Sequence, residues 1–220
     1  MEQGKKRCFS TYQITVIAIL AAIGSVLYKL EIVVFPAVSF YKLDLSNLPV
    51  LLGTFALGPL IGSVILLIKS AIGLLTTTSQ GVGEIADFVL GLTMILPVGL
   101  LYRRKKSRGT AILGMVIGGI AATIAGVLLN YYLLIPFFAV LFGIPVDVIV
   151  AMGANMIPAV DSLWKFVILI TGPFNLIKWS VIALVTGLIY KPLSPILHGR
   201  KRYCETINEE ERSNAGAKHA

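Results

Sequence analysis

The chain has 220 residues, 56% of them hydrophobic and 14% charged, with a net charge of +8, and a mean hydropathy of +0.86. Soluble domains carry about 25% charged residues, which sets this chain apart from them. Its apolar runs approach or exceed the roughly 20 residues that a spanning helix needs, and the short alternating segments of a β-barrel are missing. The class is an all-α polytopic membrane protein in a lipid bilayer. The positive charge is read as cytoplasmic loops rich in Lys and Arg, not as a nucleic-acid surface.

In chain order, Lys5, Lys6 and Arg7 precede a first span of about Ser10–Leu30. That run is too long for a signal-peptide core and has no clear cleavage site, so it is read as a retained helix. A polar and aromatic loop, "EIVVFPAVSFYKLDLSN", follows. The next apolar block, Leu48–Thr77, contains the turn signal Gly58-Pro59. It is either one span ending at Lys69 or a hairpin of a short and a longer helix.

Charge decides between these two. The densest basic loop holds Arg103, Arg104, Lys105, Lys106 and Arg108, and further cations flank the first span and follow the last one, at Lys191, Arg200, Lys201 and Arg202. The positive-inside rule places all three groups in the cytoplasm, which requires an even number of crossings before the basic loop. The hairpin supplies four, at about 10–30, 46–58, 59–77 and 84–102. Its first helix reaches only roughly 20 Å and needs neighbours to cross.

Span five is expected over Thr110–Leu134 and span six over Phe174–Tyr190, with Gly172-Pro173 marking the start of the last helix. The long segment between them, Ile135–Gly172, is mostly apolar but broken by prolines. It is expected on the outer side as short helices or re-entrant structure, with "VDSLWKFVILITG" equally readable as part of a further helix packed into the bundle. The expectation is six transmembrane helices, with both termini cytoplasmic and a long outer segment between helices five and six. Residues 1–204 form one membrane domain, and the polar tail 205–220 is expected to be disordered. Cys8 and Cys204 fall in basic cytoplasmic segments, so no disulfide is expected.

On this topology the outer face gathers Asp44, Glu84, Asp87, Asn130, Asn175 and Lys178. A buried polar group without a partner costs several kcal/mol in hydrocarbon, so ionisable residues at helix ends are candidate ligand contacts. Taken singly, Lys178 or Glu84 is as readily explained by snorkelling to the interface; the clustering at one face favours a shared site. Asn175 and Lys178 are three residues apart and share a helix face, offering an amide and three ammonium donors to a neutral, carbonyl-rich ligand. Phe174, Tyr41, Phe40, Tyr131 and Trp179 are available as aromatic walls or as interfacial belt residues. Lys69, deep in span three, either pairs with an acid such as Asp87 or faces the cavity, unless the span boundaries are displaced.

Small residues recur at four-residue spacing in Ala18 and Ala22, Gly58 and Gly62, and Gly114 and Gly118. Such pairs let helices approach closely, within the bundle or against another membrane protein. There is no phosphate-binding GxxxxGK[ST] loop and no HExxH, and His198 and His219 both lie near the C-terminus. No enzyme activity, metal or cofactor is expected.

"FYKLDLSNLPVLLGTFALGPLIG", "GVGEIADFVLG", "LLNYYLLIP" and "GPFNLIKWSV" together resemble the riboflavin-specific S component of bacterial energy-coupling factor (ECF) transporters, over about residues 10–195. The resemblance implies a multi-pass protein of the bacterial cell membrane that binds riboflavin near the outer face under its first loop. It implies delivery through a transmembrane coupling (T) protein and two ATP-binding subunits, which alone use ATP. On the matching motifs, Asn175 and Lys178 are expected to hold the polar edge of the isoalloxazine, Asn130 to contact the ligand from the preceding span, and Ala18 and Ala22 to dock the coupling protein. Tyr41 and Phe174 are expected to wall the ligand, while Asp44 and Glu84 either touch it or brace the loops. Riboflavin carries no phosphate, consistent with outward cations that are all Lys. An S component for another flat vitamin and a stand-alone small-solute facilitator are the alternatives.

Overall fold

The computed structural model describes residues 11–35, 41–77 and 79–189. The termini and their side of the membrane, Phe40, both cysteines, both histidines and the tail from Glu205 lie outside the described residues.

The helices are α1 (Thr11–Lys29), α2 (Asn47–Leu57), α3 (Pro59–Leu74), α4 (Val82–Arg104), α5 (Arg108–Phe142), α6 (Val146–Ala154) and α7 (Leu163–Ile189). Among the described residues there are thus seven helices, one of which, the nine-residue α6, lies in the segment between α5 and α7. Four of them, α1, α4, α5 and α7, are long and apolar enough to cross a membrane, while α2 and α3 are shorter apolar helices. Between α1 and α2 a two-stranded antiparallel ribbon pairs β1 (Ile32–Val33) with β2 (Lys42–Leu43), in the register Ile32↔Leu43 and Val33↔Lys42.

The chain turns between α2 and α3 at Gly58-Pro59. Gly58 has φ +98°, a backbone that side-chain-bearing residues rarely adopt, and Pro59 opens α3, where its missing N–H is not needed. The two helices then run back along each other: a Cβ on Gly62 would lie 2.0 Å from Thr54 Oγ1, and further on Lys69 meets Asn47. An 11-residue helix is about 16 Å long, too short to span the hydrocarbon alone. Every residue of α2 from Asn47 to Phe55 is buried, and α1, α3 and α4 pack around it. Protein rather than lipid therefore surrounds the short helix. Gly114 and Gly118 also serve internal packing, since a Cβ on Gly118 would sit 2.5 Å from the Met94 carbonyl oxygen.

Two boundaries differ from expectation. Helix α5 does not stop at Leu134 but runs on to Phe142, and α7 starts at Leu163, not at Phe174. In each case a proline suggests a break. In each case one π-helical turn lies just before that proline, at Asn130–Leu134 before Pro136 and at Val167–Thr171 before Pro173. The N–H of Ile135 bonds to Asn130 O, and that of Gly172 to Val167 O, five residues back. The wide turn makes room for the proline ring against the preceding carbonyls, so each helix continues through its proline. The segment between α5 and α7 is correspondingly shorter than 135–172, and α6 is its one helix.

Candidate functional site

A cavity of about 500 Å³ opens among α1, the β-ribbon, the α3–α4 turn, α4, α5 and α7. Its size falls within the ~300–1,000 Å³ usual for small-molecule sites. All seven proposed binding residues, Tyr41, Asp44, Glu84, Asn130, Phe174, Asn175 and Lys178, line it. One wall is apolar, formed by Leu134, Ile135 and Phe138 of α5 with Phe174 of α7. Trp179 also lines the cavity. Tyr131 does not: its ring packs edge-on against Trp164, with centroids 5.2 Å apart.

The two asparagines are held alike. Asn130 Nδ2 donates to Gly126 O at 2.8 Å, and Asn175 Nδ2 donates to Thr171 O at 3.0 Å, each four residues back on its own helix. Neither sits near a helix end as expected. Asn130 begins the π turn in the middle of α5, and Asn175 follows the one in α7. Gly126 lets α7 approach, because a Cβ there would be 2.8 Å from Asn175 Nδ2.

Tyr41 reaches from the end of the first loop to the two π turns. Its hydroxyl lies 3.4 Å from Asn130 Oδ1 and hydrogen-bonds to Thr171 Oγ1. Its ring lies 4.9 Å from that of Phe174. Burial pushes its phenol above the ordinary tyrosine range, and the Thr171 hydrogen bond opposes this only in part, so Tyr41 is a neutral donor at physiological pH.

Beneath this layer lies a buried charged network. Lys178 Nζ donates to Asp44 Oδ2 at 2.9 Å and contacts Asp87 Oδ1 at 3.4 Å. Lys69, 1% exposed, donates to Asp87 Oδ2 at 2.5 Å, Ser46 Oγ at 2.9 Å and Asn47 Oδ1 at 3.0 Å. Asn47 Nδ2 returns a bond to Asp87 Oδ1 at 2.8 Å. Of the two readings of Lys69, pairing with Asp87 is the one observed. Asp44 also accepts from the Ser46 backbone N–H at 2.9 Å, which fixes the start of α2. Glu84 accepts from Thr77 Oγ1 at 2.8 Å and Ser79 Oγ at 2.9 Å, tying the first turn of α4 to the preceding loop. Both acids therefore brace loops while lining the cavity.

Sequence reasoning did not single out Ser46, Asn47 or Thr171. Asn47 was the most accessible of these, as a lone amide at the head of an otherwise apolar helix. Ala18 and Ala22 are both exposed, on the side of α1 away from its buried residues Ile17, Leu20, Ala21 and Gly24. Among the described residues no group of three or more His, Cys, Asp or Glu is placed to hold a metal.

Comparison with known proteins agrees with this architecture. The chain is 31% identical to the riboflavin transporter RibU of Staphylococcus aureus over 183 residues, covering 82% of this chain and 89% of that protein. It is 32% identical to RibU of Lactococcus lactis over 190 residues, covering 81% and 91%. It is 30% identical to the riboflavin transporter FmnP of Bacillus subtilis over 189 residues, covering 83% and 92%. A solved S component of a bacterial ECF transporter superposes with a TM-score of 0.67 at 30% identity, covering 84% of this chain and 97% of that one. ThiT of Listeria monocytogenes, at 19% identity and a TM-score of 0.58, shares the fold. This is a multi-pass protein of the bacterial cell membrane. The family described as "ECF transporter, substrate-specific component" matches residues 12–190, and with its apolar helices enclosing one polar-floored cavity the chain belongs to that family.

Proposed function

We propose that this chain captures riboflavin in the cavity and passes it to an ATP-driven coupling module. One observation carries the substrate reading: apolar and aromatic side chains line the cavity together with amide and ammonium donors, and similar proteins are named riboflavin transporters. Riboflavin has the matching shape, with a flat apolar ring, a polar dione edge and a neutral hydroxylated tail. The cations lining the cavity are Lys29, Lys42 and Lys178. Asn130, Asn175 and Lys178 supply polar contacts, Tyr41 and Phe174 wall the ring, and Asp44 and Glu84 hold the surrounding loops in place. The protein makes and breaks no covalent bond in this role.

The same reading places both chain ends in the cytoplasm, keeps residues 1–204 in one membrane domain, and makes Ala18 and Ala22 the docking surface for a transmembrane coupling protein that works with two ATP-binding subunits. Purified protein freed of ligand is expected to quench riboflavin fluorescence at micromolar concentration. Unchanged fluorescence would exclude the substrate. Uptake into proteoliposomes is expected only with the coupling module and ATP, whereas a facilitator would equilibrate solute alone.

A further inference from the structure

We infer that Asp87 is a positioning residue of the riboflavin site, acting through Lys178; the inference rests on the function proposed above. Lys69 cannot meet a ligand. It is 1% exposed, and its three N–H donors are matched by Asp87, Ser46 and Asn47. Lys178 differs. Two of its donors face Asp44 and Asp87, its side chain is 12% exposed, and it lines the cavity, which leaves one N–H for a ligand acceptor.

The direction of that third donor is set by the two carboxylates. Asp44 comes from the segment before α2, whereas Asp87 stands within α4, where Lys69 of α3 and Asn47 of α2 fix both of its oxygens. Asp87 is thus the rigid anchor of the pair. A flexible lysine held this way meets its ligand with little further ordering, which is where preorganised sites gain affinity.

The test must spare the fold, because removing Asp87 alone would strand the Lys69 charge. In the double variant Lys69→Met/Asp87→Asn the buried pair is neutralised together while Lys178 and Asp44 stay. Riboflavin Kd from fluorescence titration is expected to rise about tenfold or more, the worth of a lost charge-assisted contact. The same double change made on Lys178→Met is expected to leave Kd where Lys178→Met alone puts it. Should the double variant fail to fold, Asp87→Glu keeps the charge opposite Lys69 but moves the anchor. It is expected to raise Kd several-fold in the parent and not on Lys178→Met. Parent-like affinity in the double variant, or in Asp87→Glu where that stands in for it, overturns the inference, as does an equal loss in the Lys178→Met background. A parent protein that leaves riboflavin fluorescence unchanged overturns the substrate reading, and this inference with it.

Discussion

Asn175 and Lys178 lie on one face of α7, yet substitution should not affect them alike. Asn175 Nδ2 bonds to its own helix, so on the proposed function Asn175→Ala removes a ligand contact and disturbs little else. A loss of about 1–3 kcal/mol in riboflavin binding is expected, with the melting temperature near that of the parent. Lys178→Ala removes the cation from Asp44, which is 4% exposed. A buried carboxylate left without its partner costs about 3–5 kcal/mol, so this variant should lose both affinity and thermal stability. Riboflavin titration alongside thermal unfolding in detergent separates the two outcomes. Both residues were legible in the sequence because a polar group in an apolar helix has few reasons to be there. Ser46 and Thr171 were not legible, because small hydroxyl residues are common at helix starts and within membrane helices, and only the fold shows them meeting Lys69 and Tyr41.

At the scale of elements, the Gly58-Pro59 break was readable because charge parity and turn chemistry pointed to the same place. The ends of α5 and α7 were not readable. Proline rules assume an α-helical ladder, and a π turn relaxes that assumption by one residue. Pro136 and Pro173 therefore marked an irregularity correctly but not its consequence, since both helices continue. The exposed alanine face of α1 supports a separate expectation. Ala18→Trp and Ala22→Trp add bulk where no buried contact of α1 is disturbed, so riboflavin binding should persist while ATP-dependent uptake is lost. Paired binding and uptake assays check this; a loss of binding would place these alanines inside the bundle.

For the whole molecule, the basic turn between α4 and α5 is the topological marker. Arg103, Arg104, Lys105, Lys106 and Arg108 are all exposed, and Ser107 caps α5 by accepting from the Thr110 backbone N–H. A cysteine placed by Lys105→Cys in a chain otherwise lacking cysteine should stay unlabelled by an impermeant maleimide in intact cells and react in inverted vesicles. Labelling from outside would invert the orientation and with it the side from which the cavity fills.

The Lys69–Asp87 pair also bears on how the chain enters the bilayer. A lysine at the centre of an isolated helix disfavours lateral release into lipid by about 2.5–3.5 kcal/mol on translocon-derived scales, and Asp87, in the second turn of α4, adds a smaller cost of the same sign. Lys69 finds its counter-charge on α4, the next segment to emerge, while Asp87 meets Lys69 of α3 and, later, Lys178 of α7. During synthesis α3 would therefore linger at the insertion machinery until α4 emerges, so that the hairpin and α4 partition as one unit. The pair that lies beside the cavity in the mature protein would thus also time the chain's assembly.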